Sequence, residues 1–451
     1  MDRRRFLRNS IASATAASVG GLIPRLALAD YNPAQNFQGG ATNVYCKIRA
    51  QGGWDTYYAF PTRAGHVLHS TLESERPTLF IDPSNTIPVV NGGDSFHRAL
   101  HPDWQPIRDR NVPMALVENV GLIEGSQINT NRSHQIATDF YERGSHLNNS
   151  TDARGPLGRA LDTSGKAFGI GTNTEMVARK GFITNQNASR PLVIGSLGRF
   201  GFQNISYRFD DINACETGSS GNCVSRYWED NELKAEKLRE LVGDLNLSNR
   251  PIMRNLFDAF GRTEGAVQKM QSYAAIALSG DYGPGSYFTD QCRDAARLII
   301  GAMNDTDFAG TPIVVCLDKG GFDTHEGQGE VDNLPAKIRD FAHGIAGMYH
   351  ELQLRGVSNR ALFAIVSEFG RQIVENSGYG TDHGIALDIP VFGDRVAPQV
   401  VESPPSLATR EGNAVLPTQS FQRVESAIMQ TVGLPESIAY PNHAPISGLL
   451  V

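Results

Sequence analysis

Short, dense apolar runs and one long amphipathic stretch organise the second half of the chain. "TPIVVCL" (311–317) and "ALFAIVS" (361–367) are continuous apolar runs of the kind found in strands buried on both faces. Between them, Leu334, Ile338, Phe341, Ile345, Met348 and Leu352 recur at alternating spacings of four and three, which lays an apolar stripe along one helix. Strand, helix, strand is a βαβ unit, and such units build parallel sheet through right-handed crossovers. "NVYCKIR" (43–49) and "VPMALV" (112–117) predict two more strands. The middle, 228–304, predicts helix, with one stripe through Leu238, Leu241, Val242 and Leu245 and another through Ile252, Leu256, Phe257 and Phe260. Residues 200–225 are polar and turn-rich, as an inserted loop would be. The tail, 395–451, is rich in Pro and Ser and ends in a short helix near 419–432. The expectation is one large α/β domain over 30–451, with a polar loop and helical insertion at about 200–304.

The first 29 residues change that picture by dropping out of it. They have a basic start, a weakly apolar middle rich in Gly and Ala, and Ala27-Leu28-Ala29 just before Asp30. This is the pattern of a cleaved export signal. Arg3 and Arg4, followed by Phe6, Leu7 and Arg8, resemble the twin-arginine signal, which exports proteins already folded. The expected location is periplasmic or secreted. The 451 residues are 40% hydrophobic and 20% charged, an ordinary globular composition, with a net charge of −7. Removing the five arginines and one aspartate of the leader leaves 36 basic against 47 acidic residues, a charge of −11. An acidic chain without basic clusters is a poor nucleic-acid binder. No later segment has eighteen continuous apolar residues, so membrane embedding after cleavage is not expected. Of the five cysteines, Cys215 and Cys223 flank the polar loop "ETGSSGN" and suit a disulfide in an exported protein. Cys46 and Cys316 fall in apolar runs as buried thiols, and Cys292 lies in a helical pattern. There is no CxxC spacing.

Candidate chemistry collects where the predicted strands end. Asp55 follows the first strand in "GGWD". Asp323 and His325 follow "IVVCL" in "GGFDTHEGQ". Glu368 ends "LFAIVS", and Asp382 and His383 stand in "GYGTDHG". A parallel sheet gathers such positions on its carboxyl edge, where ligands bind. Mixed carboxylate and imidazole donors suit a divalent metal of the zinc, manganese or iron class, whereas carboxylates alone suit magnesium or calcium. Each residue also has a plain structural use. Asp55 and Asp323 can cap turns, His325 can cap its loop, Glu368 can pair with Arg371, and Asp382 can serve the turn at Gly380. In "INTNRSHQIATDFYERG" (128–144), Thr130 or Ser133 can cap a helix whose free N–H groups would suit an anion, with Arg132 and His134 solvated. Either hydroxyl could instead be a nucleophile activated by a metal.

In this order, "GGWD", "NRSHQIATDFYERG", "GGFDTHEGQ", "SEFGR" and "GTDHG" resemble the bacterial family known as domain of unknown function 1501, which looks like a branch of the alkaline phosphatase and sulfatase superfamily. That resemblance implies a three-layer α/β/α sandwich with a largely parallel central sheet and metals at the strand ends. It implies Ser133, or Thr130, as nucleophile, and Asp55, Asp323, His325, Glu368, Asp382 and His383 as metal ligands. Arg132 or Arg371 would hold the anion. The cofactor would be a divalent metal (zinc, manganese or calcium). The partner would be a small anionic ester or an envelope component. Three positions depart from the pattern. Phe369 stands where a histidine ligand is usual, and Asp388 and Ile389 stand where many relatives carry His-His. These departures allow a reduced metal site, or a non-catalytic binding or assembly module that keeps the fold.

Overall fold

The computed structural model describes residues 40–90, 96–146, 155–163, 165–170, 192–194, 197 and 265–451. The chain divides into two compact units. One, Asn36–Ile194 with Ala277–Val451, contains everything discussed below. The other is Met1–Gln35 with Gly195–Ile276. The leader, the Cys215–Cys223 pair and the stripes from Leu238 to Phe260 lie outside the described residues. Of the stretch expected as insertion, Tyr287–Asn304 is a helix of the sheet-bearing unit.

The sheet strands are β1 (Val44–Ala50), β2 (Met114–Gly121), β3 (Lys166–Ile170), β4 (Leu192–Ile194), β5 (Ile313–Lys319) and β6 (Ala361–Val366). After a small hairpin of β7 (Arg371–Glu375) and β8 (Thr381–His383) come β9 (Leu387–Phe392), β10 (Gln399–Val401) and β11 (Gln419–Ser420). Among the described residues the order is β10-β2-β9-β6-β1-β5-β3-β4, with β11 beside β2. Every pairing is parallel except those of β9, which runs against β6 and β2. The fold is therefore mixed α/β with a largely parallel central sheet.

The apolar runs form central strands because both faces are covered. β1, β2 and β6 are buried along their whole length. On one face Tyr45, Val117, Val314, Leu362 and Ile389 pack with Tyr141 of α2 (His134–Arg143), Leu157 and Leu161 of α3 (Pro156–Leu161), and Phe421, Val424 and Ile428 of α6 (Phe421–Val432). On the other face lie α4 (Tyr287–Asn304) and α5 (Leu334–Leu354). They are locked together by Phe288 against Phe341, whose ring centroids are 5.1 Å apart. Cys292 of α4 stands beside Cys46 of β1, and these two thiols and Cys316 are buried and unbonded. Phe341 also stacks on Phe322 at 5.1 Å and meets Trp54 at 5.7 Å, so α5 braces both glycine-rich turns after β1 and β5. Phe341→Ala should cost about 3–5 kcal/mol of stability, the usual range for a buried aromatic, read from urea unfolding.

Candidate metal centre

Five chain segments meet on one edge of the sheet: the turns after β1, β5 and β6, the start of α2, and β8, which feeds β9. The two Gly-Gly-aromatic-Asp turns touch. A Cβ on Gly52 would lie 2.5 Å from the Asp323 nitrogen, and Gly52 sits at φ +120°, so only glycine fits there. Thr381 N donates to Thr324 O at 3.1 Å, which ties the hairpin to the same point.

Around it stand three imidazoles and one carboxylate. The Nε2 of His383 and of His325 are each 3.0 Å from Asp323 Oδ1, and 2.9 Å from one another. His134 Nε2 lies 3.3 Å from Asp323 Oδ2. It is buried and has no hydrogen-bond partner. One ligand atom from each of His134, Asp323 and His383 lies within 4.8 Å of the others. Each ring is fixed from behind through Nδ1. His134 is held by Glu368 Oε1 at 2.9 Å, His325 by Asp382 Oδ1 at 3.0 Å, and His383 by the Arg132 carbonyl at 2.9 Å. An acceptor on Nδ1 puts the proton there and leaves the Nε2 lone pair facing the common point. Phe369, buried below, lies 4.9 Å from the His134 ring and 4.8 Å from the His383 ring, and fills the floor under both.

Charge is arranged to match. Against the upward push of burial, the Arg371 guanidinium and the neighbouring imidazoles hold the Asp323 carboxyl far below its ordinary range. Glu368 is lowered against burial by hydrogen bonds from His134 and from Gly52 N, the latter at 2.8 Å. The hydrogen bond to Glu368 raises His134, while burial lowers His383.

The predicted residues divide into several groups. Asp323, His325 and His383 come together. Glu368 and Asp382 reach the cluster through the histidines they orient. Asp55 stands apart: it is fully buried, caps α1 (Thr56–Ala59) by accepting from Tyr57 N and Tyr58 N, and binds Arg76 at 2.8 Å and Gln328 at 2.6 Å. Both its oxygens are in use, which leaves it no lone pair directed at the cluster. Arg371 does not pair with Glu368 and has nothing left for a substrate anion. Its nitrogens bond the carbonyls of Gly52, Gly53, Phe322 and Thr381, and Asp323 at 2.6 Å. Arg132 turns to Glu411 at 2.9 Å. Ser133 is the exposed N-cap residue of α2 and makes no capping bond through its side chain; Thr130 is exposed three residues earlier. Asp388, at a departure from the relatives' pattern, is buried with Arg98 and accepts from Asn119 N at 2.9 Å.

His134 is the cluster member that sequence reasoning left in solvent. Its signal was an imidazole in the first turn of a helix rising from the strand edge that carries the other donors. If Asp382 only orients His325, Asp382→Asn should weaken zinc binding about 10–100-fold without abolishing it, as loss of an outer partner does. Competition with a chromophoric chelator measures this.

Residues 290–401 match the family described as "Protein of unknown function (DUF1501)". The match spans about a quarter of the chain. The DUF1501 stretch contains Asp323, His325, Glu368, Asp382 and His383, while His134 lies before it. No curated protein matches the sequence. Among solved structures, Ps i-CgsB is 12% identical over 90% of this chain and 75% of its own, with a TM-score of 0.38. The alkaline phosphatase from the Antarctic bacterium TAB5 is 12% identical over 80% of this chain and 94% of its own, with a TM-score of 0.29. The lipoteichoic acid synthase LtaP from Listeria monocytogenes is 8% identical over 95% and 79%, with a TM-score of 0.29. At these scores neither fold nor chemistry is inherited from them; both rest on this chain's own strand pairing and side chains.

Beneath Glu368, on the α2 side of the sheet, is a small cavity lined by Arg49, Thr138, Tyr141, Glu142, Asp318 and Glu368 among others. Burial pushes the Glu142 carboxyl up to about 7, against the pull of Arg49. Its unfolded value is about 4.3. Between these values the folded chain keeps a proton that the unfolded chain has lost, so this group's contribution to stability falls as pH rises from about 4.3 to about 7. Glu142→Gln should therefore gain on the natural chain steadily over that window and level off above it. Urea midpoints of the two proteins at a series of pH values check this, and parallel curves would contradict it.

Proposed function

We propose that the protein is a metal-dependent hydrolase of phosphate or sulfate esters, with one ion held by the Nε2 atoms of His134, His325 and His383 and by Asp323. The observation that carries this reading is the convergence of three imidazole lone pairs on one carboxylate, each ring pinned through Nδ1. The donor set fits. Three imidazole-to-Asp323 separations of 3.0–3.3 Å and one of 2.9 Å between His325 and His383 bring the donors to one point; the ligand atoms of His134, Asp323 and His383 all lie within 4.8 Å of one another, with His325 beside them. The buried His134 Nε2 faces Asp323 Oδ2 at 3.3 Å, in the direction an ion would take. Three imidazoles favour the zinc or manganese class over calcium. Such an ion, when bound, supplies Lewis acidity to an ester oxygen.

The chain's own residues do the rest. Glu368, Asp382 and the Arg132 carbonyl set ring tautomers. Arg371 keeps Asp323 ionised. Ser133, exposed at the start of α2 beside His134, offers the hydroxyl that would take the phosphoryl or sulfuryl group as the ester O–P or O–S bond breaks and the alcohol leaves, water then releasing the anion, with Thr130 as the other choice. The site is open, with His325 and Asp323 side chains 40% and 47% exposed, which suits an ester displayed on a larger molecule. No helix among the described residues is long and apolar enough to cross a membrane. We place the protein in the cell envelope on the strength of Arg3, Arg4 and the Ala27–Ala29 pattern.

Turnover of a panel of phosphate and sulfate monoesters by zinc- or manganese-loaded protein tests the reading. Hydrolysis that is lost with a chelator and in Ser133→Ala is expected. Folded, metal-loaded protein that turns over none of them would favour the second reading, a non-catalytic envelope module. That reading draws on Phe369, whose ring fills the floor where a further ligand would stand.

A further inference from the structure

Among the described residues, three other than glycine hold φ in the left-handed region: Asn111, Asn119 and Tyr379. Asparagine enters that region readily, whereas a bulky side chain there is an outlier. Tyr379, at φ 58°, stands on the tip between β7 and β8. It is 63% exposed, so burial of its ring does not offset the strain. Strain of this kind persists where the surroundings fix it, and it gathers at functional sites. Here the surroundings do fix it. Tyr379 N donates to the Asn376 carbonyl at 3.2 Å, and the Tyr379 carbonyl accepts from Gln328 N at 2.9 Å. Asn376 Oδ1 accepts from Gly378 N at 2.9 Å and from Gly380 N at 3.1 Å. Its Nδ2 donates at 3.0 Å to Asp382 Oδ1, the oxygen that holds His325. The glycines on either side of Tyr379 press on the His325 backbone. A Cβ on Gly378 would lie 2.9 Å from the His325 carbonyl oxygen, and one on Gly380 would lie 2.3 Å from the His325 carbonyl carbon. The tip thus sets an exposed aromatic residue beside His325, the most exposed of the three imidazoles.

We propose that Tyr379 determines substrate specificity: its ring takes the flat face of a sugar or aryl group that carries the ester, while the ester itself meets the ion. This rests on the hydrolase reading above and names the alcohol side of its substrate. An aromatic side chain is rigid, loses little freedom on contact, and holds another ring by its face or edge. Asparagine would fit this backbone with less strain, and what it lacks is the ring. Because the tip is tied to Asp382 and through it to His325, ring and ion keep a fixed spacing. Esters with a ring close to the ester oxygen are then favoured over esters of flexible chains.

Kinetics of the zinc-loaded full chain on phenyl phosphate, glucose 6-phosphate and ethyl phosphate, and on the matching sulfates, test this. The natural chain should prefer at least one ring ester to the ethyl ester by kcat/KM. In Tyr379→Ala that preference should fall roughly 3–10-fold, through KM and not kcat, because the ring meets the substrate away from the bond that breaks. Tyr379→Phe should keep the preference. Which ester loses more, phenyl or glucosyl, tells an aryl group from a sugar. Tyr379→Asn should lose the preference yet unfold at no lower urea concentration, since asparagine relieves the backbone. A natural chain without ring preference, a preference untouched in Tyr379→Ala, or a lower urea midpoint in Tyr379→Asn would overturn the proposal and leave the hydrolase reading in place. If no ester is turned over, the hydrolase reading fails, and calorimetric binding of phenyl phosphate and glucose 6-phosphate to the zinc-loaded protein decides. Weaker binding of either in Tyr379→Ala supports the ring contact, whereas equal binding, or none to the natural chain, overturns it.

Discussion

Asp323→Asn is expected to abolish tight zinc binding while leaving the fold intact. Asp323 is the one carboxylate that all three Nε2 atoms face, and asparagine offers a neutral oxygen in its place. The loss should exceed the roughly 100-fold that removal of an outer partner can cause. Arg371 would keep its four backbone carbonyls, so its buried charge stays solvated by dipoles. The difference is visible in unfolding experiments. At zinc 100 times its dissociation constant the natural protein gains about 2.7 kcal/mol. At that concentration the variant should gain less than about 0.5 kcal/mol. An equal gain in both proteins would remove Asp323 from the site.

Asp55→Ala should do the reverse. It strands Arg76, which is buried with Asp55 and, among the described residues, otherwise donates only to the Gln372 and Ile373 carbonyls, and it uncaps α1. Removing one partner of a buried ion pair typically costs about 3–5 kcal/mol. Zinc affinity of the protein that remains folded should be unchanged. Chemical unfolding gives the first quantity, chelator competition the second. A stable variant with lost zinc binding would return Asp55 to the ligand set.

These two aspartates show what the sequence makes legible. Both follow Gly-Gly-aromatic at the end of a parallel strand, and residue type and order alone do not separate them. What separates them is distant: Arg76 and Gln328 reach Asp55 from elsewhere in the chain, whereas Arg371 and His383 reach Asp323. The strands at 313–319 and 361–366 and the helix at 334–354 were readable because burial on both faces, or on one stripe, writes itself into hydrophobic periodicity. The antiparallel run of β9 has no such mark, since a buried strand reads alike in either direction. Glu368 and Asp382 had the right chemistry for a metal site. That they hold imidazoles from behind depends on side-chain direction, which spacing does not encode. His134 was missed for a similar reason, because the rotation of α2 decides whether its first turn meets solvent or the Glu368 carboxylate. Arg371 looked free to bind an anion, and only the turn geometry shows four carbonyls closing around it.

The central claim is that one ion is held by three Nε2 atoms and Asp323. Crystals of the protein grown with zinc, with anomalous scattering collected at the zinc edge, test it most directly. The account predicts a single strong peak on the strand edge within about 2.0–2.2 Å of the Nε2 atoms of His134, His325 and His383 and of an Asp323 oxygen. A peak bound instead by Asp55, by imidazole Nδ1 atoms, or by none of these side chains would contradict it.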